Sequence, residues 1–177
     1  MKGLRVLHRE VLYRGRVFDL IKERLEVFGH PIVREIIRHP GAVVIVPVLN
    51  DAQVVFVQQY RRAVNRMLLE LPAGTLAKEE SRAACARREL EEETGWRASH
   101  LRRIGHFYPA PGFASEEMTV FLARGLRHVG SRPEPDELVT PVILSFREAF
   151  EQIASGMICD GKSIIGILLA KRYLNVA

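Results

Sequence analysis

Gly74–Trp96 reads GTLAKEESRAACARRELEEETGW, and the fold follows from how that stretch is interpreted. In its second half Ala83, Ala86 and Leu90 recur at steps of three and four, the spacing of one buried helical face. Gly95 stands where a left-handed cap would end the helix, and apolar Trp96 follows it. Glu89, Glu92 and Glu93 fall at i, i+3 and i+4, so three carboxylates leave one side of the helix together. Like-charged neighbours at that spacing cost roughly 0.2–0.5 kcal/mol per pair. Arg88, four residues before Glu92, can offset part of this, but Glu89 and Glu93 remain. A hard divalent cation such as Mg²⁺, bound through oxygen, would neutralise them. The competing interpretation is a solvated, salt-bridged helix, the ordinary role of a charge run.

Outward from this helix, Leu71-Pro72-Ala73 leads through Gly74 into it, a strand-like run passing by a glycine loop. Ala42 to Leu49 is almost continuously apolar, as in a strand covered on both faces, and Asn50-Asp51 turns it into Val54 to Gln59. Residues 4 to 40 read as short strands. Among them Val17 to Val27 and Ile32 to Arg38 are separated by a turn at Phe28-Gly29-His30-Pro31. Beyond the helix, strands are expected at Leu101 to Tyr108 and Met118 to Ala123, interrupted by Pro109-Ala110-Pro111-Gly112-Phe113. Ser145 and Glu148 have capping-box spacing at the head of a helix closed by Gly156. Asp160 starts a last helix with Ile164, Ile165, Leu168 and Leu169 on one face. Strands mixed with three helices predict an α/β sandwich, helices packed on both sides of a mixed sheet.

At 177 residues the chain suits a single domain, 1–177, large enough to bury a real core. It is 47% hydrophobic and 27% charged, which excludes a disordered chain. No apolar run reaches the roughly 18–20 residues of a membrane span. The N-terminus lacks a signal-peptide core, so a cytoplasmic protein is expected. Cys85 and Cys159 have no paired spacing and are expected as free core thiols. The net charge of +5 is spread over scattered arginines without interleaved aromatics. That argues against a nucleic-acid partner and suits a small phosphorylated substrate. The six histidines share no metal-ligand spacing.

Gly74, Glu80, Arg88, Glu89, Leu90, Glu92, Glu93, Gly95 and Trp96 fill every fixed position of a known pattern: the segment resembles the Nudix box. Gln58-Gln59-Tyr60-Arg61, Glu70-Leu71-Pro72-Ala73-Gly74 and Pro111-Gly112-Phe113-Ala114-Ser115-Glu116 resemble segments of the ADP-ribose pyrophosphatases in that superfamily. The resemblance implies a Nudix α/β/α sandwich with a mixed sheet and an N-terminal β extension. Residues 1–40 would form a β subdomain used in a homodimer, and 41–177 the catalytic core.

By the same resemblance, two or more Mg²⁺ ions, or Mn²⁺, would be held by Glu89, Glu92, Glu93 and the backbone carbonyl of Ala73, with Arg88 orienting the glutamates. Gly74 would let the loop approach the metal, having no side chain and tolerating unusual dihedrals. Arg61 would contact substrate phosphates. Pro111, Gly112 and Phe113 would line the substrate, and Pro111 occupies the position that goes with ADP-ribose preference. The general base would be Glu137, with Glu92 or Glu134 as alternatives. Pro135 and Ala77 depart from the pattern, each standing where relatives often carry an acid. The implied reaction is Mg²⁺-dependent hydrolysis of ADP-ribose to AMP and ribose 5-phosphate. Alternatives are the same chemistry on FAD, NADH, a nucleotide sugar or a diadenosine polyphosphate, and, from another class, a non-catalytic ADP-ribose sensor.

Overall fold

The computed structural model describes residues 3–50, 52–130 and 138–175. Three strands come first: β1 (Leu4–Arg14), β2 (Asp19–Val27) and β3 (His30–Arg38), forming an antiparallel sheet in that order. Val27 pairs with His30, so the β2–β3 loop is the two residues Phe28 and Gly29, with φ of 50° and 83°. Positive φ at both positions is the tight hairpin turn whose twist matches that of the flanking strands. Pro31, expected in the turn, instead lies inside β3, an edge strand that tolerates a residue without an N–H. The segment Tyr108–Glu117 belongs to the same compact unit as residues 1–41. It is bound to β3 by the Ile37 N–H donating to Phe113 O and the Ser115 N–H donating to Ile37 O, at 2.8 and 2.9 Å.

The second unit comprises Ala42–Phe107 and Met118–Ala177. Its strands are β4 (Ala42–Leu49), β5 (Gln53–Arg61), β6 (Arg66–Glu70), β7 (Ala73–Thr75), β8 (Trp96–Phe107), β9 (Met118–His128) and β10 (Val139–Ser145). The main path through the sheet is β10-β5-β4-β9-β8, with β6 on β5 and β7 on β4. β4 runs parallel to β9 and antiparallel to β5 and β7, so the sheet is mixed. The helices are α1 (Arg82–Thr94), α2 (Phe146–Ala154) and α3 (Gly161–Leu174).

Alternate residues of β4 face two different cores. Val44, Val46 and Val48 pack with Phe146 and Ala149 of α2 and Ile167 and Ala170 of α3. Val43 and Ile45 pack with Cys85, Ala86 and Leu90 of α1. A strand buried on both faces must be apolar at every position, which explains the unbroken run. The expected α/β/α sandwich is therefore present, with α1 on one face and α2 and α3 on the other. Ser145 and Glu148 make the expected capping box, and Asp160 caps α3. α2 ends at Ser155, one residue before the expected Gly156. Cys85 is buried as expected, whereas Cys159 is exposed. Cys159 sits between buried Ile158 and the cap of α3, where the chain leaves the core.

Candidate active site

Helix α1 starts at Ser81, whose hydroxyl accepts from the Ala84 N–H, and ends at Gly95 in the left-handed conformation (φ 73°), whose N–H reaches the Glu91 carbonyl at 2.9 Å. These caps satisfy orphan backbone groups at both ends and fix which face meets the sheet. Leu90, Ala86 and Cys85 go down into the core, and the flank of that buried stripe carries Glu89 and Glu93, 9% and 2% exposed. Two carboxylates are thus pressed against the turn at β7.

The Ala73 N–H donates to Glu93 Oε2 at 3.1 Å. Opposite Gly74, a Cβ would stand 1.9 Å from the carboxyl carbon of Glu89. Gly74 is therefore required for space; its φ lies outside the left-handed range, so the dihedral freedom expected of it is not used. Buried carboxylate oxygens beside a backbone turn are hard donors and fit a cation such as Mg²⁺, which uses one or two carboxylates and keeps several waters. Among the described residues, no three His, Cys, Asp or Glu side chains are grouped to hold one ion. The structure sets Glu93 on the Ala73 N–H and Glu89 against Gly74, and Arg88 Nη1 bridges Glu89 to Glu92.

Arg88 is the hub of the outer face. Its guanidinium grips Glu80 through Nε and Nη2 at 2.9 and 3.1 Å, and Nη1 reaches Glu92 at 2.9 Å and Glu89 at 2.8 Å. This geometry is compatible with the orienting role the resemblance implies, and it gives the spacing of Glu80 eight residues before Arg88 a physical reason. The hydrogen bond from Arg88 brings the Glu80 carboxyl from its ordinary 4.5 down to about 2, against an opposing effect of burial and with help from the Ala77 N–H. A carboxyl depressed in the folded state adds stability above its unfolded pKa and loses it as pH falls through the folded one. The melting temperature of the wild type relative to Glu80→Gln is therefore expected to hold steady above about pH 5. It should then shrink toward zero as pH approaches 2, and a pH-independent difference would detach Glu80 from this pair. Cys85 is pushed up to about 12, first by burial and then by the charges of Glu80 and Glu89, so it is an inert packing residue.

Arg61 is not left open for substrate alone. Its Nε and Nη2 hold Glu70 at 2.9 and 2.5 Å across the β5–β6 pairing. Glu70 also takes a hydrogen bond from Lys162, which in turn reaches Asp160 at 2.8 Å. Asp160 accepts from the Ser163 hydroxyl at 2.6 Å, and the Leu71 N–H donates to that hydroxyl at 2.7 Å. Burial alone would raise the Glu70 carboxyl, but the Arg61 hydrogen bond and the charge of Lys162 bring it below the usual carboxylate range. Sequence reasoning missed Glu70, Asp160, Lys162 and Ser163 as the support beneath the Leu71–Gly74 segment. Burial lowers the Arg61 guanidinium, but its hydrogen bond and charge pairing with Glu70, with smaller contributions from Glu93 and Asp160, raise it above its usual value.

Pro111, Gly112 and Phe113 form a turn in the first unit, with the Phe113 and Ala114 N–H groups donating to Ala110 O. Phe113 is exposed. Glu137 and Glu134 lie outside the described residues.

The NUDIX domain family matches residues 38–165. The chain is 37% identical over 172 residues to an ADP-ribose pyrophosphatase of Bacillus subtilis, covering 94% of this chain and 93% of that protein. It is 35% identical to a methanol dehydrogenase activator of Bacillus methanolicus, covering 92% and 90% respectively. A crystal structure of an ADP compounds hydrolase superposes with a TM-score of 0.86 over 99% of this chain and 96% of that one, at 22% identity, and shows the shared fold. With the box glutamates seated on α1 against the Ala73–Gly74 turn, the chain belongs to the Nudix family, as a hydrolase of pyrophosphate bonds.

Proposed function

We propose that the protein hydrolyses ADP-ribose to AMP and ribose 5-phosphate with Mg²⁺. The observation that carries this reading is the buried pair Glu89 and Glu93 set against the Ala73–Gly74 turn. The substrate is supported by the extent of similarity to the Bacillus subtilis pyrophosphatase. When bound, Mg²⁺ supplies positive charge to phosphoryl oxygens and acidifies water. Glu89, Glu93 and the Ala73 carbonyl would hold it, with Glu92 close by. Arg88 keeps the outer carboxylates from collapsing onto the site, and the partly exposed edge of Arg61 takes a phosphate oxygen as a planar fork. Glu137 takes the proton of the attacking water, whose oxygen bonds to phosphorus as the anhydride P–O bond breaks and the leaving phosphate keeps the electron pair. Glu137→Gln is expected to cost more than about tenfold in kcat. A smaller loss assigns the base to Glu92 or Glu134.

Space at position 74 gives a direct test of the metal assignment. Gly74→Ala should fold normally, yet displace the Glu89 carboxylate and raise the Mg²⁺ concentration for half-maximal rate by about 10–100-fold, as loss of a ligand's support does elsewhere. An unchanged Mg²⁺ dependence removes Glu89 from the cation site.

A second reading keeps the reaction and changes the nucleoside diphosphate derivative. Turnover of ADP-ribose, FAD, NADH, a nucleotide sugar and a diadenosine polyphosphate, compared by kcat/KM with products identified, decides it. ADP-ribose should lead, and a large deficit against another member reassigns the substrate while leaving the reaction class.

Leu4, Val6, Leu12, Tyr13 and Val33 are exposed on the β1–β3 sheet, apolar surface that a monomer rarely leaves open. We assign it to a homodimer, and light scattering should give twice the 20.1 kDa chain mass. No described helix is long and apolar enough to cross a membrane. The free thiols support a reducing, cytoplasmic setting.

A further inference from the structure

Between β6 and β7 the backbone is held by three different elements in three consecutive residues. Leu71 is fully buried, and its N–H donates to the Ser163 hydroxyl of α3 at 2.7 Å. Pro72 has no N–H, and its carbonyl accepts from the Ile45 N–H of β4 at 2.9 Å. The Ala73 N–H then donates to Glu93 Oε2 of α1 at 3.1 Å. Ala73 therefore meets the α1 carboxylates two residues after the chain has been fixed to α3.

The α3 end of this path has a set polarity. The Ser163 hydroxyl is wholly buried and donates to Asp160 Oδ2 at 2.6 Å, which leaves its oxygen to accept from Leu71. Asp160 Oδ2 is itself placed by the Ser163 N–H at 3.1 Å and by Lys162 Nζ at 2.8 Å. Capping α3 needs only the bond from the Ser163 N–H to Asp160. The hydroxyl is additional to the cap, and the donor it serves is Leu71. One turn on, a Cβ at Gly166 would stand 2.5 Å from Leu71 Cδ1 and 3.4 Å from Val44 Cγ1, so the missing side chain lets α3 lie directly on this segment. Leu71 is thus held through its main chain at Ser163 and its side chain at Gly166. Without the hydroxyl, a buried N–H would lose its acceptor, a state costly enough to shift the segment that carries it.

We propose that Ser163 is a positioning residue for the cation site: its hydroxyl, acting through Leu71 and Pro72, sets where the Ala73 backbone lies against Glu93. The inference rests on the reading of Glu89, Glu93 and Ala73 as cation ligands.

The test compares Ser163→Ala, Ser163→Thr, Ile167→Val and Glu93→Gln in the full chain. Ile167→Val thins the packing of the same helix in the same core without removing a hydrogen bond. In Ser163→Ala, Mn²⁺ affinity measured by calorimetry without substrate should fall about tenfold or more, as on loss of a ligand's support. The Ala73 amide, followed by metal-free hydrogen exchange, should exchange about tenfold faster. The Mg²⁺ concentration for half-maximal rate should rise by the same factor as the Mn²⁺ affinity falls, with kcat at saturating Mg²⁺ near the wild type. Ser163→Thr keeps the hydroxyl and should restore affinity and exchange. Ile167→Val should lower the melting temperature and leave both unchanged. If the added methyl group makes Ser163→Thr melt below Ser163→Ala, the comparison of Ser163→Ala with Ile167→Val decides. Wild-type Mn²⁺ affinity in Ser163→Ala, with affinity lost in Glu93→Gln, overturns the positioning role and leaves the cation site standing. Equal weakening in Ser163→Ala and Ile167→Val also overturns it, since lost stability then explains the effect, and so does a Ser163→Thr variant that melts like the wild type but binds as weakly as Ser163→Ala. Wild-type affinity in Glu93→Gln overturns the cation site, and the inference with it.

Discussion

Glu93→Gln is expected to lower kcat by about three orders of magnitude while leaving the protein folded: charge stabilisation by a bound cation is worth several kcal/mol, and each 1.36 kcal/mol is tenfold. The amide keeps the shape of the side chain, and its carbonyl can still accept from the Ala73 N–H that now bonds Glu93 Oε2. What it loses is the charge. Glu93 is the most deeply buried of the three box glutamates on α1, so solvent cannot take over its role. The metal-free variant should melt close to the wild type, because one member of a like-charged i,i+4 pair has been neutralised. Calorimetric titration with Mg²⁺ or Mn²⁺ should show weakened uptake alongside the fall in rate. Glu92→Gln is the control. That side chain is partly exposed and bonded to Arg88, so its loss should disturb orientation more than cation uptake. A wild-type rate for Glu93→Gln at saturating Mg²⁺ would remove Glu93 from the cation site.

The part of the site that could be read from sequence is the part built by local spacing. Glu89 and Glu93 are four residues apart on one helix that Gly95 closes, so helix period and that cap marked both carboxylates as neighbours without reference to any tertiary contact. The two-faced burial of β4 was equally plain, because a strand covered on both sides must be apolar throughout. β1 was legible only as one of several short strands, since nearly all of it is exposed and no period-two pattern forms. β10 was not read as a strand; it contains Pro141 and lies at the end of the sheet path, where proline is tolerated. Arg61 could be singled out, but its principal partner could not. Glu70 reaches it from β6, where its backbone partner is Val57, and Lys162 and Ser163 arrive from a helix 92 residues further along. Contacts set by topology leave no spacing in the sequence, which is why the glutamates were found and their support was not.

That support sets the second large effect. Glu70→Ala should destabilise the protein by about 3–5 kcal/mol, the cost of removing one partner from a buried ion pair and leaving the other uncompensated. For a chain of this size that is a fall of about 6–20 °C in melting temperature. The cation left behind is chiefly Lys162, whose side chain is only 10% exposed and, among the described residues, keeps Asp160. Arg61→Ala should cost much less, since that side chain is 39% exposed and Glu70 retains Lys162. Replacing Glu70 and Lys162 together by leucine should recover much of the single-variant loss, because neither buried charge is then left alone; Arg61 can turn to water, and Asp160 keeps its bonds to Ser163. If the double variant is no more stable than Glu70→Ala, the loss arises from packing around position 70 and not from a stranded Lys162 charge. Activity separates the two roles further. The repaired core should still turn over slowly, because Leu71 and Ala73 follow directly on Glu70 and carry the backbone that meets Ser163 and Glu93.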